Sequence, residues 1–365
     1  MLGRVPPGTR AVPGTMSRAS SPAEGDDVRE PSVLDPAADP AATDIRSEIH
    51  AALARRRPET GARFDEMTRY ALLAPGKLLR PLMLLAAAEA VGGRGEDALP
   101  AAAAVEHLHV ASLVHDDIID GDDLRRGQPS VHARYGVPDA IVTGDALLFD
   151  LFAAVSECAA PPQAVVTAVA ELARAGTDLC RGQVQESELV APGPGRPGST
   201  LADYLEVAGL KTGALFRGAC RAGAALGGGD PEQVELLGEY GHHTGVAFQL
   251  HDDLLPYLYD TSATGKPVTS DAANLRPTWP VLLAHRDGDD GRRRAVETAL
   301  SGALGPVEAH EALRSAVTAE GVWDAARAGA REHAEAAVAR LGELPGSAAA
   351  HRLAGMAAIA VDRDR

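Results

Sequence analysis

From about Asp44 onward, apolar residues recur every three to four positions and not every second one. In "DIRSEIHAALARRR", Ile45, Ile49, Ala52 and Leu53 share one helical face, and Asp44 is placed to cap that helix. "FDEMTRYALLAPGKLLRPLMLLAAAEAVGG" continues the pattern, broken at Pro75-Gly76 and stopped by Gly92-Gly93. Ala-, Leu- and Val-rich segments follow at 99–121, 138–159, 161–190, 201–225, 231–258, 277–286, 292–303, 307–318, 320–342 and 347–361, each bounded by Gly, Pro or Asp. There is no convincing two-residue alternation and no repeat of fixed period. The spacing predicts one all-α domain of ten or more helices over 44–365. Residues 1–43, rich in Pro, Gly, Ser and acidic residues, read as a disordered tail; the functional alternative is a docking segment, and Met16 is an alternative start.

Three stretches interrupt the helical pattern: 121–137, "APGPGRPGST" (191–200) and "DTSATGKPVTSDAANLRP" (260–277). Long polar loops in a compact helical domain are usually functional or disordered. Composition agrees with the helical reading. Hydrophobic residues make up 45% of the 365 and aromatics only 4%, so the core is built mainly from Ala, Leu and Val. A net charge of -16 argues against nucleic acid and against an anionic membrane surface. Cys158, Cys180 and Cys220 show no CxxC spacing and read as reduced thiols of a cytoplasmic protein. No apolar run approaches the ~20 residues of a membrane span, and no secretory signal is expected.

The charged stretch "VHDDIIDGDDLRRGQPSVH" (114–132) closes an apolar helical segment. Asp116 and Asp120 lie four apart, so their carboxylates leave one helical face and repel each other. A divalent cation between them removes that repulsion. Oxygen-only ligands suit Mg²⁺, which takes one or two carboxylates and completes its shell with water and phosphate. A solvated acidic helix end is the plainer reading of one such pair. Arg125-Arg126 follows within two turns, however, and supplies cations for phosphate. A second pair, Asp252-Asp253 in "FQLHDDLLPYLYD", also closes an apolar run. Two such faces meeting across a cavity would form a multi-metal diphosphate site. In "PGKLLRP", Lys77 and Arg80 lie three apart on one expected helical face and suggest a second anion site. This stretch is not a P-loop, because the upstream Gly and following Ser/Thr are missing; Lys266 in "TGKPV" fails the same test. No HExxH or GxSxG occurs, which leaves little room for a zinc hydrolase or a nucleophile elbow. His242-His243 reads as polar surface or a satisfied core pair.

These residues resemble the trans-isoprenyl diphosphate synthases (polyprenyl synthetases), over roughly residues 45–360. The ordered markers are "GKLLRP", "LVHDDIIDGDDLRRGQPSVH", "TGDALL", "RGQ", "KTGALF", "FQLHDD" and "GKPVTSD". The resemblance implies a helical bundle around a central cavity, condensation of isopentenyl diphosphate with an allylic diphosphate, and a homodimer. It implies Mg²⁺ ions, three with substrate bound, held by Asp116, Asp120 and Asp252, with Asp117 and Asp253 in support. By the same resemblance Arg125 contacts the allylic diphosphate, and Lys77, Arg80, His109 and Arg126 hold isopentenyl diphosphate. Lys211, Thr212 and Gln249 line the reacting centre, and Lys266 reaches the leaving diphosphate. Positive charge gathered around that group stabilises the transition state, and 260–277 is the expected lid over a water-sensitive carbocation.

One departure stands out. The family's second motif usually reads DDxxD; here it reads "DDLLP", and Pro256 neither binds metal nor continues a helix. Asp260 is the nearest acidic substitute, and Arg276 in "NLRPTWP" stands near a position that often carries Lys. Ala111 and Ser112, about 6–7.5 Å before Asp116 at helical rise, are both small, which leaves the expected tail channel open for products of twenty carbons or more. Two other functions remain open at this point. One is a terpene cyclase, which has no use for Lys77, Arg80 and Arg126 and whose N-D-x-x-S-x-x-x-E pattern is missing. The other is a non-catalytic subunit of a partner synthase, motivated by Pro256.

Overall fold

This computed structural model describes residues 40–190, 199–259 and 267–362. The first helices are α1 (Pro40–Arg56), α2 (Arg63–Leu72), α3 (Leu79–Ala90) and α4 (Gly95–Asp120). A two-residue antiparallel ladder, β1 (Leu124–Arg125) against β2 (Gln128–Pro129), leads into α5 (Val131–Tyr135), α6 (Val137–Ser156) and α7 (Pro162–Leu189). Then come α8 (Leu201–Ala208), a π-helical turn (Gly209–Gly213), α9 (Ala214–Leu226), α10 (Pro231–Asp252), α11 (Leu255–Leu258) and α12 (Ser270–Ala273). The last five are α13 (Trp279–Asp287), α14 (Asp290–Ala299), α15 (Pro306–Val317), α16 (Val322–Leu341) and α17 (Ala348–Asp362). The all-α expectation holds. Among the described residues no helix is long and apolar enough to cross a membrane.

The expected disordered tail lies almost wholly outside the described residues, as do Lys266 and Asp260. Helix α1 starts at Pro40, so Asp44 sits inside the helix and does not cap it. The segment 201–225 is not one helix, because the π turn divides it. Pro256 acts as its chemistry requires: α10 ends at Asp252, and Pro256 falls in the first turn of α11. The charged stretch 121–137 forms the hairpin and α5. Its turn residues Arg126 (φ 53°) and Gly127 (φ 75°) are both left-handed, as a two-residue hairpin turn needs.

Side chains from α3, α4, α6, α9 and α17 fill one apolar core, and those of α13 to α16 with the end of α10 fill another. Helix α10 joins them, giving Leu237 and Tyr240 to the first and Val246 and Leu250 to the second. Alanine buries little area per residue, so stabilisation here depends on close helix approach and many small contacts. Gly144 on α6 shows how tight this is: an added Cβ would lie 2.3 Å from the His115 ring on α4.

Candidate active site

A cavity of about 1130 Å³ opens between α3, α4, α6, α7 and α10. Eleven of the expected residues line it: Arg80, His109, Asp116, Asp120, Arg125, Arg126, Lys211, Thr212, Gln249, Asp252 and Asp253. The two acidic motifs therefore do share one hollow. Helix α4 carries the wall from Leu108 to Asp120, so apolar lining gives way to carboxylates over about 18 Å of helix.

On α4, Asp116 lies 3.4 Å from Lys211 Nζ, which also donates to Glu186 Oε2 at 2.6 Å. Asp120 pairs with the Arg276 guanidinium, which is 3.4 Å from Glu186 Oε2 and 3.8 Å from Asp271 Oδ1. Burial, with the neighbouring Asp116 charge, holds the Asp120 carboxyl above its ordinary range. For Lys211, burial alone would favour the neutral amine; Asp116 and Glu186 outweigh it and keep the ammonium. Asp117 points away from the cavity lining and pairs with Arg125, whose Nε donates at 2.8 Å.

The π turn places Lys211 and Thr212. Such turns shift the register of a helix locally and are frequent at functional sites. Gly182 on α7 permits it, since an added Cβ there would come within 2.5 Å of the Lys211 backbone nitrogen. Thr212 donates to Gln249 Oε1 at 2.7 Å, and Gln249 Nε2 donates to Asp253 Oδ1 at 2.8 Å. The Tyr204 hydroxyl and the Trp279 N–H (3.2 Å) both donate to Asp253 Oδ2. Burial pushes the Asp253 carboxyl up to about 7, against the pull of these donors.

A basic pocket forms where α3 meets α4 and the hairpin. Arg80 lies 3.4 Å from His109 Nε2 and stacks over the Phe216 ring, 4.3 Å from its centroid. Arg126 donates to the Ala74 carbonyl at 3.2 Å. Burial and the Arg80, Arg126 and Arg125 charges keep His109 neutral. Beneath them lies Glu106, 3% exposed, whose carboxyl is raised by burial and drawn back by Arg126 and Arg80.

Two expectations are corrected. Lys77 does not share a helical face with Arg80: α3 begins at Leu79, and Lys77 is exposed and outside the cavity lining. Asp117, expected only to support the metal ligands, is held by Arg125. Ala111 is fully buried and outside the cavity lining, so of the two expected channel residues only Ser112 lines it. Sequence reasoning missed Glu186, Asp271, Tyr204 and Glu106, and gave Arg276 no role. Glu186 had one available signal, its four-residue spacing from Gly182 on α7, which puts both on one face.

The donor set fits Mg²⁺ that is shared with a diphosphate. Among the described residues no three carboxylate, His or Cys groups are clustered to hold an ion alone. Asp116, Asp120 and Asp252 instead present hard oxygens to one cavity and leave coordination positions for water and phosphate.

Residues 62–317 match the family model described as polyprenyl synthetase. The chain is 37% identical to a short chain isoprenyl diphosphate synthase of Methanothermobacter thermautotrophicus, over 84% of this chain and 91% of that protein. It is 34% identical to a geranylgeranyl pyrophosphate synthase of Geoglobus acetivorans, over 88% and 96%. The fold superposes on a polyprenyl synthase of Caulobacter crescentus, complexed with calcium and isoprenyl diphosphate, with a TM-score of 0.80 and 30% identity over 89% and 96%. With its sequence markers gathered into one cavity and residues 62–317 matched by the family model, the chain belongs to the polyprenyl synthetase family.

Proposed function

We propose that the protein is an Mg²⁺-dependent trans-prenyltransferase that joins isopentenyl diphosphate to an allylic diphosphate, head to tail, giving a product of twenty carbons or more. The observation that carries this reading is the division of one cavity into two charged regions. An acidic one holds Asp116, Asp120 and Asp252, and a separate basic one holds Arg80, His109 and Arg126. A cyclase needs only the first, so the basic pocket favours two-substrate condensation.

Asp116, Asp120 and Asp252 would hold the Mg²⁺ ions, three of them with substrate bound, which supply charge neutralisation on the leaving diphosphate. Arg125, Lys211, Arg276 and, by resemblance, Lys266 add fixed positive charge around that group. Arg80, Arg126 and neutral His109, with Lys77 at the edge, anchor the diphosphate of isopentenyl diphosphate. Thr212 and Gln249 line the same cavity and hold each other in place, and would present polar groups toward developing positive charge. Leu108, Leu148, Leu151, Phe152 and Leu172 give the apolar surface along which a growing tail lies.

A homodimer is part of the reading. Val142 (52% exposed) and Ile141 (44%) on α6, both outside the cavity lining, give an apolar surface of the kind that subunits cover. A cytoplasmic location fits three free thiols. The deciding experiment incubates purified protein with isopentenyl diphosphate, each allylic primer in turn and Mg²⁺, with product mass spectrometry. Chain extension that stops with EDTA and returns with Mg²⁺ is expected. No extension from any primer would point instead to a non-catalytic subunit.

A further inference from the structure

We infer that Arg276 competes with the divalent cation for Asp120, so that cation and diphosphate enter the cavity together and neither binds tightly alone. This rests on the prenyltransferase reading above.

One guanidinium spans carboxylates from three elements: Asp120 of α4, Glu186 of α7 and Asp271 of α12. It is a buried contact, with side-chain exposure of 13% for Arg276 and 4% for Asp120. The backbone that delivers it is held on both sides. Leu275 adopts a left-handed conformation (φ 55°), which a branched side chain rarely takes. The Arg276 N–H donates to the Asp271 carbonyl at 2.9 Å. Ser270 Oγ donates to Asp122 Oδ1 at 2.8 Å, and the Trp279 N–H reaches Asp253. Segment 270–279 is thus fastened to both acidic motifs, and Arg276 lies between them.

A guanidinium and a divalent cation on the same carboxylate repel each other strongly in a partly desolvated site. Arg276 has little room to retreat, because it is a planar fork with its backbone anchored. Lys211 differs: its flexible stem can withdraw from Asp116 while staying on Glu186. A diphosphate removes the conflict. It offers Arg276 acceptor oxygens in the geometry a guanidinium prefers, frees Asp120, and adds negative charge between the two cations. Cation affinity and diphosphate affinity are then coupled, and by linkage the coupling is equal in both directions.

The test measures Mn²⁺ binding to the full-length protein by electron paramagnetic resonance, with and without inorganic pyrophosphate, corrected for the Mn²⁺–pyrophosphate complex in solution. Wild type should bind Mn²⁺ weakly alone and much more tightly with pyrophosphate. Arg276→Gln should raise the affinity for Mn²⁺ alone by roughly tenfold to a hundredfold, the range of one charge-assisted contact, and should shrink the pyrophosphate enhancement. Arg276→Lys should fall between. Adding Asp120→Asn to Arg276→Gln should abolish the gain. Unchanged or weaker affinity for Mn²⁺ alone in Arg276→Gln, with wild-type helix content and melting temperature, overturns the proposal; should Arg276→Gln not fold, absence of any gain in Arg276→Lys does the same. If wild type binds no Mn²⁺ even with pyrophosphate, the metal–diphosphate reading of the cavity fails, and this inference falls with it.

Discussion

The tripeptide His-Asp-Asp occurs twice, at 115–117 and 251–253, and the two copies are used in parallel but built differently. In each, the first aspartate lines the cavity and the second is held by the protein, although Asp253, unlike Asp117, also reaches the lining. Asp117 is neutralised by a cation, Arg125. Asp253 is held by neutral donors, Tyr204, Gln249 and the Trp279 N–H. The first motif continues a 26-residue helix to a third aspartate, Asp120. The second stops at the helix end, and Pro256 stands where another acid would be. Identical local sequence therefore does not give identical electrostatics. What each aspartate does is set by groups that arrive from distant parts of the chain.

The largest effects should come from the first aspartate of each copy. Asp116→Ala and Asp252→Ala should each lower kcat/KM by about a hundredfold or more, the scale of losing one transition-state charge contact, with little change in melting temperature. Activity surviving in either would break the parallel. The second aspartates should instead show up in urea denaturation. Asp117→Asn leaves the half-buried Arg125 beside a neutral amide in place of a buried carboxylate and should cost about 3–5 kcal/mol. Asp253→Asn keeps polar partners and should cost about 1–3 kcal/mol. The reverse order would mean that the two clamps are misread.

The comparison sharpens along α4 itself. Ser112→Phe should shorten the product seen by mass spectrometry, because Ser112 lines the cavity with Asp116. Ala111→Phe should leave product length alone and destabilise the fold by about 1–3 kcal/mol through overpacking. The smallest effect is expected of Pro256→Asp, which restores the missing acid: activity should stay within about threefold, since Arg276 and Asp271 already shape the charge there. A change in rate beyond tenfold would show the second motif to be limited by its proline.

The fold was legible because a 3.6-residue period leaves a plain trace in an Ala/Leu/Val-rich chain. The segments at 161–190 and 307–318 match α7 and α15 to within a residue at each end. The π turn was not legible, because the glycine that accommodates it, Gly182, approaches from another helix. Asp116, Asp120 and Asp252 could be read because acids at helix ends are conspicuous against apolar runs. Glu186, Asp271 and Arg276 could not, since each is an ordinary surface residue until tertiary packing brings it to the others. The Ala111 error is one of helical phase. Five residues at about 100° each place it about 140° around the helix from Asp116, against about 40° for Ser112.

Leu78 (φ 52°), Arg126 (φ 53°) and Leu275 (φ 55°) are the non-glycine residues with left-handed backbone among those described, and each is or adjoins a basic residue of the proposed diphosphate sites. Exchanging Leu275 for glycine would relieve about 1–2 kcal/mol of local conflict, whereas Leu78, 4% exposed, would lose more by leaving the core than its backbone would regain. A campaign aimed only at heat tolerance would therefore pick position 275 early, and would obtain hardier protein whose Arg276 is less sharply aimed. Selection for catalysis has every reason to hold such discomfort in place, and engineers raising the melting point of this scaffold should leave those three positions untouched.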